Sequence, residues 1–178
     1  MGLFVALLKG INVGGKKRLP MAKLRAAAEA AGLSEAETYL ASGNLIFEAD
    51  GAAEDLATSL RAAVIAAGGP DVAVFVLPAT LVRRAESACP FNADDPRHIH
   101  AALAAGDLLP DADVIARLKR PDEALLPDGA LAWLHTPSGA AGSKLLAGLD
   151  RALGRDVTAR NLRTIRALVQ MLDGRDAT

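Results

Sequence analysis

The sequence predicts an α+β protein made of two ferredoxin-like βαββαβ-type halves, related by internal duplication and followed by a C-terminal helix. Three observations predict it. Short apolar runs alternate with stretches of helical spacing, two turn signals ("SGN" at 42–44 and "DG" at 128–129) each fall between strand-like runs, and this order of elements recurs once. The halves are expected at residues 1–88 and 89–178, joined through residues 78–97, which Pro78, Pro90 and Pro96 punctuate.

In the first half, "LFVALL" (3–8) reads as a strand. Pro20 suits a first helical position, Met21, Leu24, Ala28 and Ala31 share one helical face, and Gly32 closes the helix. "ETYLAS" and "NLIFEA" flank Ser42-Gly43-Asn44 as a hairpin, because Gly and Asn tolerate positive φ. A helix over 52–67, with Leu56, Leu60 and Val64 inward, ends at Gly68-Gly69-Pro70, and "VAVFVL" (72–77) completes the unit.

The second half repeats that order. "HIHAALAA" (98–105) is a strand, Asp111 caps a helix over "DADVIARLKR", and "EALLP" and "ALAWLH" form a hairpin about Asp128-Gly129. "SKLLAGLDRAL" is a helix and "DVTAR" a short strand. "NLRTIRALVQML" is the terminal helix, with Leu162, Ile165, Leu168 and Leu172 in register.

Composition narrows the function classes. The chain of 178 residues is 51% hydrophobic but only 3% aromatic, so its core is aliphatic and recognition by aromatic stacking is poorly supplied. The single cysteine, Cys89, provides no internal disulfide, thiol cluster or redox pair. The first eight residues are too short for a membrane span and lack a basic leader, so a cytoplasmic protein with no membrane partner is expected.

The net charge of -1 conceals a segregation. Residues 1–28 carry six basic groups and no acids, residues 29–150 eight basic and eighteen acidic, and residues 151–178 six basic and three acidic. Cationic ends around an anionic middle point to a local anion site or an internal electrostatic match, and argue against a protein that coats DNA.

The densest positive stretch is "GINVGGKKRLP" (10–20), which nearly spells a phosphate-binding P-loop. Lys17 stands where a magnesium-holding Ser or Thr is needed, Arg18, Leu19 and Pro20 delay the helix, and no strand ends in a suitable Asp. Magnesium-dependent triphosphate hydrolysis is therefore not expected. Gly14 and Gly15 could instead turn backbone amides into an anion nest ringed by Lys9, Lys16, Lys17 and Arg18. The alternative is a solvated turn whose lysines keep an edge soluble.

The blocks "ALLKGINVGGKKRLPMAKLR", "TYLASGNLIFE", "CPFNADDP", "SGAAGSKL" and "TARNLRT" together resemble a mostly bacterial family, the domain-of-unknown-function family numbered sixteen-ninety-seven. The resemblance runs from Phe4 to about Leu172. Lys9 stands where the family typically has arginine, and Leu162 and Arg163 replace a tryptophan and an asparagine of its closing block. The resemblance implies an α+β fold of two related halves and no assigned activity.

Elsewhere, Ser143 reads as a helix cap with Lys144 as an adjacent cation, since neighbouring helical residues diverge too far for a Ser–Lys catalytic pair. Asn161 is a good N-cap, and Arg160 is either a surface arginine or a grip for a carboxylate or phosphate. His98, His100 and His135 lack companions at metal-ligand spacing, so no metal or cofactor is expected. Ser42 and Asn44 read as turn formers, and Trp133 as core.

The expected ligand is thus an anionic or phosphorylated small molecule, a nucleotide, or a nucleic-acid backbone. The expected site takes Lys9, Asn12, Gly14, Gly15, Lys16 and Arg18 from the loop, with Ser42, Asn44, Lys144, Arg160 and Asn161. Two alternatives remain at this stage: an enzyme acting on such a ligand, and a self-associating scaffold or homodimer paired through β edges.

Overall fold

The computed structural model describes residues 1–92 and 94–176, with the backbone alone for Asp176. The chain divides into two compact units, Met1–Val82 with the residues from Leu172 on, and Arg83–Met171.

The first unit runs β1 (Gly2–Leu8), α1 (Met21–Ala30), β2 (Ser34–Tyr39), β3 (Asn44–Ala49), α2 (Ala53–Ala66) and β4 (Val74–Pro78). Its sheet has the order β2-β3-β1-β4, antiparallel throughout. Ala6 and Leu8 of β1, Leu45 and Phe47 of β3 and Val76 of β4 form one core with Leu24, Ala27 and Ala28 of α1 and Leu56, Leu60 and Val64 of α2. Val5, Leu7 and Ile46 are fully buried as well, which is why β1 reads as an unbroken apolar run rather than an alternating one.

The second unit repeats the arrangement: β5 (Ile99–Leu103), α4 (Ala112–Leu118), β6 (Ala124–Asp128), β7 (Leu131–His135), α5 (Lys144–Ala147), α6 (Leu149–Ala152) and β8 (Thr158–Asn161). The sheet order β6-β7-β5-β8 is antiparallel and matches the first strand for strand. Asp111 caps α4 as expected, accepting from the amides of Asp113 and Val114 at 3.0 Å each.

Several elements depart from the sequence reading. The expected joining segment 78–97 contains a helix, α3 (Ala79–Ser87), and a short 3-10 turn at Pro96–His98. The single helix expected over 143–153 breaks at Gly148, where an added Cβ would lie 2.8 Å from Leu118 Cδ1 and 3.1 Å from the Lys144 carbonyl oxygen. Pro20 is the cap of α1 rather than its first helical residue. The last helix, α7 (Leu162–Asp176), follows β8 directly, as α3 follows β4, and buries Leu162, Ile165, Leu168 and Leu172.

Comparing the halves isolates two extended connections. Residues 9–20 link β1 to α1 in twelve residues, whereas 104–111 link β5 to α4 in eight; residues 136–143 link β7 to α5 in eight, whereas 50–52 link β3 to α2 in three. In each pair one connection is longer than its counterpart in the other half. The long ones hold "GINVGGKKR" and most of "SGAAGSK".

Candidate functional site: a basic hairpin beside the SGN turn

The connection after β1 folds into a small hairpin. The Asn12 amide donates to the Lys17 carbonyl and the Lys16 amide to the Val13 carbonyl, both at 3.1 Å, with Gly14 (φ 58°) and Gly15 (φ 75°) at the tip. Two central residues at positive φ suit a tight two-residue turn, and glycine occupies both at little cost. The amides of Asn12 and Lys16 close this hairpin and so do not contribute to an anion nest.

Asn12 holds the hairpin to the body of the unit. Its side-chain Oδ1 accepts from the Leu19 amide at 2.8 Å, and its Nδ2 donates to the Leu19 carbonyl at 2.9 Å and the Ala41 carbonyl at 2.7 Å. Ile11 and Leu19, at the two ends, are buried. Between these anchors Val13, Gly14, Gly15, Lys16, Lys17 and Arg18 are exposed, and Lys9 at the base is half-buried.

The "SGN" block lies against the base of this hairpin. The Leu8 amide donates to the Gly43 carbonyl at 2.8 Å, and a Cβ on Gly43 (φ 79°) would sit 2.7 Å from Ile11 Cδ1 and 2.9 Å from Leu8 Cβ. Only glycine fits, on both backbone and packing grounds. Asn44 is the first residue of β3 and fully buried, not a turn residue, and its Nδ2 donates to the Tyr39 carbonyl at 2.7 Å and to Ser42 Oγ at 3.0 Å. Two motifs about thirty positions apart in sequence thus build one end of one sheet.

The remaining predicted residues belong to the second unit. Ser143 Oγ accepts from the Leu146 amide at 3.0 Å as the cap of α5, leaving Lys144 exposed beside a groove of about 460 Å³ lined by Ala140, Gly142 and Leu146. The loop before it is braced by Arg120, whose Nη2 donates to the Gly139 carbonyl at 2.6 Å, and by Asp122, which accepts from Ser138 Oγ at 2.6 Å. The sequence reading missed both bracing residues, which lie in the α4–β6 connection and carry no local motif.

Asn161 ends β8, and its Oδ1 accepts from the Thr164 amide at 2.9 Å, which caps the last helix as expected. Arg160 is not a surface arginine. It lies in β8 opposite Ala101, its Nη1 donates to Thr158 Oγ1 at 3.0 Å and the Ala159 carbonyl at 2.9 Å, and burial pushes its guanidinium from 12.5 down to about 10. At neutral pH it keeps its charge.

His100 on β5 is buried, its Nε2 has no hydrogen-bond partner, and burial first, then the nearby His98, holds it below the ordinary imidazole range. Among the described residues no cluster of His, Cys, Asp and Glu could hold a metal ion, and no helix is long and apolar enough to cross a membrane.

Fold and site together define an α+β protein of two like halves, the first carrying an inserted basic hairpin. The chain belongs to the family described as "Protein of unknown function (DUF1697)", whose model matches residues 1–129. A solved structure, that of the conserved bacterial protein SP0830 from Streptococcus pneumoniae, is similar to it at 26% identity and a TM-score of 0.70, over 96% of this chain and 98% of that one. No curated protein matches.

Proposed function

We propose that this protein binds a phosphorylated or otherwise anionic ligand through the hairpin at residues 12–18. The observation that carries the reading is the comparison of the two halves. Eight residues suffice to join β5 to α4, yet twelve join β1 to α1, and the longer connection presents Lys16, Lys17 and Arg18 to solvent. Connections longer than the fold needs are where binding groups concentrate.

Asn12 supports the reading by fixing the hairpin at both ends, so little conformational entropy is lost when an anion binds. Lys9 and the Ser42-Gly43-Asn44 segment lie at the end of β1 from which the hairpin rises, with Gly43 against Leu8 and Ile11, and Gly14 and Gly15 leave the tip open to close approach. We read the strand order of each half as ferredoxin-like, and the single cysteine suits a cytoplasmic setting.

The test is thermal unfolding with inorganic phosphate, pyrophosphate and ATP. A ligand at a hundred times its Kd stabilises by about 2.7 kcal/mol, a rise of about 5–10 °C for a chain of this size. The Lys16→Ala/Arg18→Ala variant, changed only at exposed positions, keeps its basal Tm and loses the rise. A flat response to all three compounds, or the same rise in the variant, contradicts the reading.

A further inference from the structure

We infer that the anion this hairpin takes is the backbone of duplex DNA, with the hairpin entering the major groove and Val13 meeting the base edges. The inference rests on the anion-binding reading above and names its ligand. Four features of the hairpin carry it.

The first is shape. Residues 12–17 form a two-stranded ribbon closed by the Asn12–Lys17 and Val13–Lys16 backbone bonds, and its Gly14-Gly15 tip carries no side chains. A major groove about 12 Å wide admits a two-stranded ribbon.

The second is the distribution of charge. Lys16, Lys17 and Arg18 are consecutive and exposed, with Lys16 on the ribbon opposite Val13 and Lys17 just beyond it at φ 50°. Asp71, held below its usual range first by Arg61, also feels Lys17, so Lys17 serves the side facing the α2–β4 connection. Three cations in one short exposed segment can meet a row of phosphates as well as one small anion. They suit a groove walled by a phosphate strand on each side.

The third is Val13, 68% exposed on the ribbon directly across from Lys16. It contributes nothing to the core. An apolar side chain beside cations fits a partner that offers apolar surface beside anions, and in the major groove the thymine methyl does so.

The fourth is what the chain lacks. With 3% aromatic residues it has few stacking surfaces for single strands, and the deep, narrow major groove of duplex RNA excludes a ribbon. The acidic surplus of residues 29–150 repels DNA, so contact is confined to the hairpin and binding is weak and sensitive to salt.

The experiment is fluorescence anisotropy with a labelled DNA duplex, the RNA duplex of the same sequence and a single DNA strand, each over a range of salt concentrations. The expected order is duplex DNA tightest, with a slope of log K against log salt of about -2.7 for three phosphates at about 0.9 each. Lys16→Ala/Lys17→Ala/Arg18→Ala flattens that slope. Val13→Ser weakens duplex binding by about threefold to tenfold, the size of one apolar contact, and leaves the slope unchanged. Uracil in place of thymine reproduces that loss in the unmodified protein.

RNA or single-stranded DNA bound as tightly as duplex DNA, or Val13→Ser without effect, overturns the inference. If phosphate or ATP still raises the Tm while duplex DNA fails to bind, the anion site stands and its assignment to DNA falls. If neither responds, both fall.

Discussion

The side-chain amide of Asn12 donates to the carbonyl oxygen of Ala41 across 2.7 Å, joining the hairpin after β1 to the turn between β2 and β3. Asn12 is at φ 54°, where asparagine is tolerated better than most residues. Asn12→Gly keeps that backbone and removes the amide, leaving the Leu19 amide without its acceptor. It should cost about 1–3 kcal/mol in urea unfolding. The same variant should weaken ligand binding, because a loosened hairpin pays more entropy on binding.

Gly14 and Gly43 offer a matched pair. Both have positive φ, but an added Cβ meets nothing within 4 Å at Gly14 and meets Ile11 Cδ1 at 2.7 Å at Gly43. Gly14→Ala should therefore cost only the backbone strain, about 1–2 kcal/mol. Gly43→Ala adds overpacking of about 1–3 kcal/mol. Chemical denaturation of the two variants should separate them in that order, and equal costs would mean the turn moves freely against β1.

The single tryptophan reports on α3. Trp133 Nε1 donates to the Ala85 carbonyl at 2.8 Å in a buried setting. Trp133→Phe keeps most of the ring volume and leaves that carbonyl unpaired, at a cost of about 1–3 kcal/mol. Loss of the α3 contact should also raise amide exchange between Ala79 and Ser87, readable by hydrogen–deuterium exchange.

Stability should fall on mild acidification because of His100. Its folded pKa lies below the ordinary imidazole value of 6.5, so the unfolded chain binds more protons just below that value and stability rises with pH there. The contribution is complete above about 6.5 and is lost as pH falls from there toward the depressed folded value. Tm measured from pH 7.5 to 5 should decline, and His100→Phe should reduce the decline attributable to this site. His98→Gln removes the neighbour that disfavours the charged ring and is the companion control.

Much of the fold is legible because its signals are local. The unbroken "LFVALL", the Asp111 and Ser143 caps and the Asp128-Gly129 turn each express a preference satisfied within a few residues. The helix α3 was obscured by the prolines around it. Pro78 reads as a linker signal, yet a proline immediately before a helix also suits a start, and only the packing of Val82 and Ala85 decides between them.

The site is legible in part. Its charge and glycines stand out, but Gly14-Gly15 reads equally as a nest or as the tip of a hairpin, since both need positive φ. The backbone bonds from Asn12 and Lys16 decide for the hairpin. Asn44 reads as a turn former by statistics and is buried by the approach of β1, which no local rule encodes. Arg160 likewise becomes half-buried only once β8 pairs with β5.

The central claim is that the hairpin, and not the remainder of either half, takes the anion. The most direct measurement is a map of backbone amide chemical shifts during titration of the isotope-labelled protein with pyrophosphate and with a short DNA duplex. The account predicts that the largest changes fall at residues 12–18, with smaller ones at 40–44. Changes centred on the Ala140–Ala147 groove, or none at the hairpin, would contradict it.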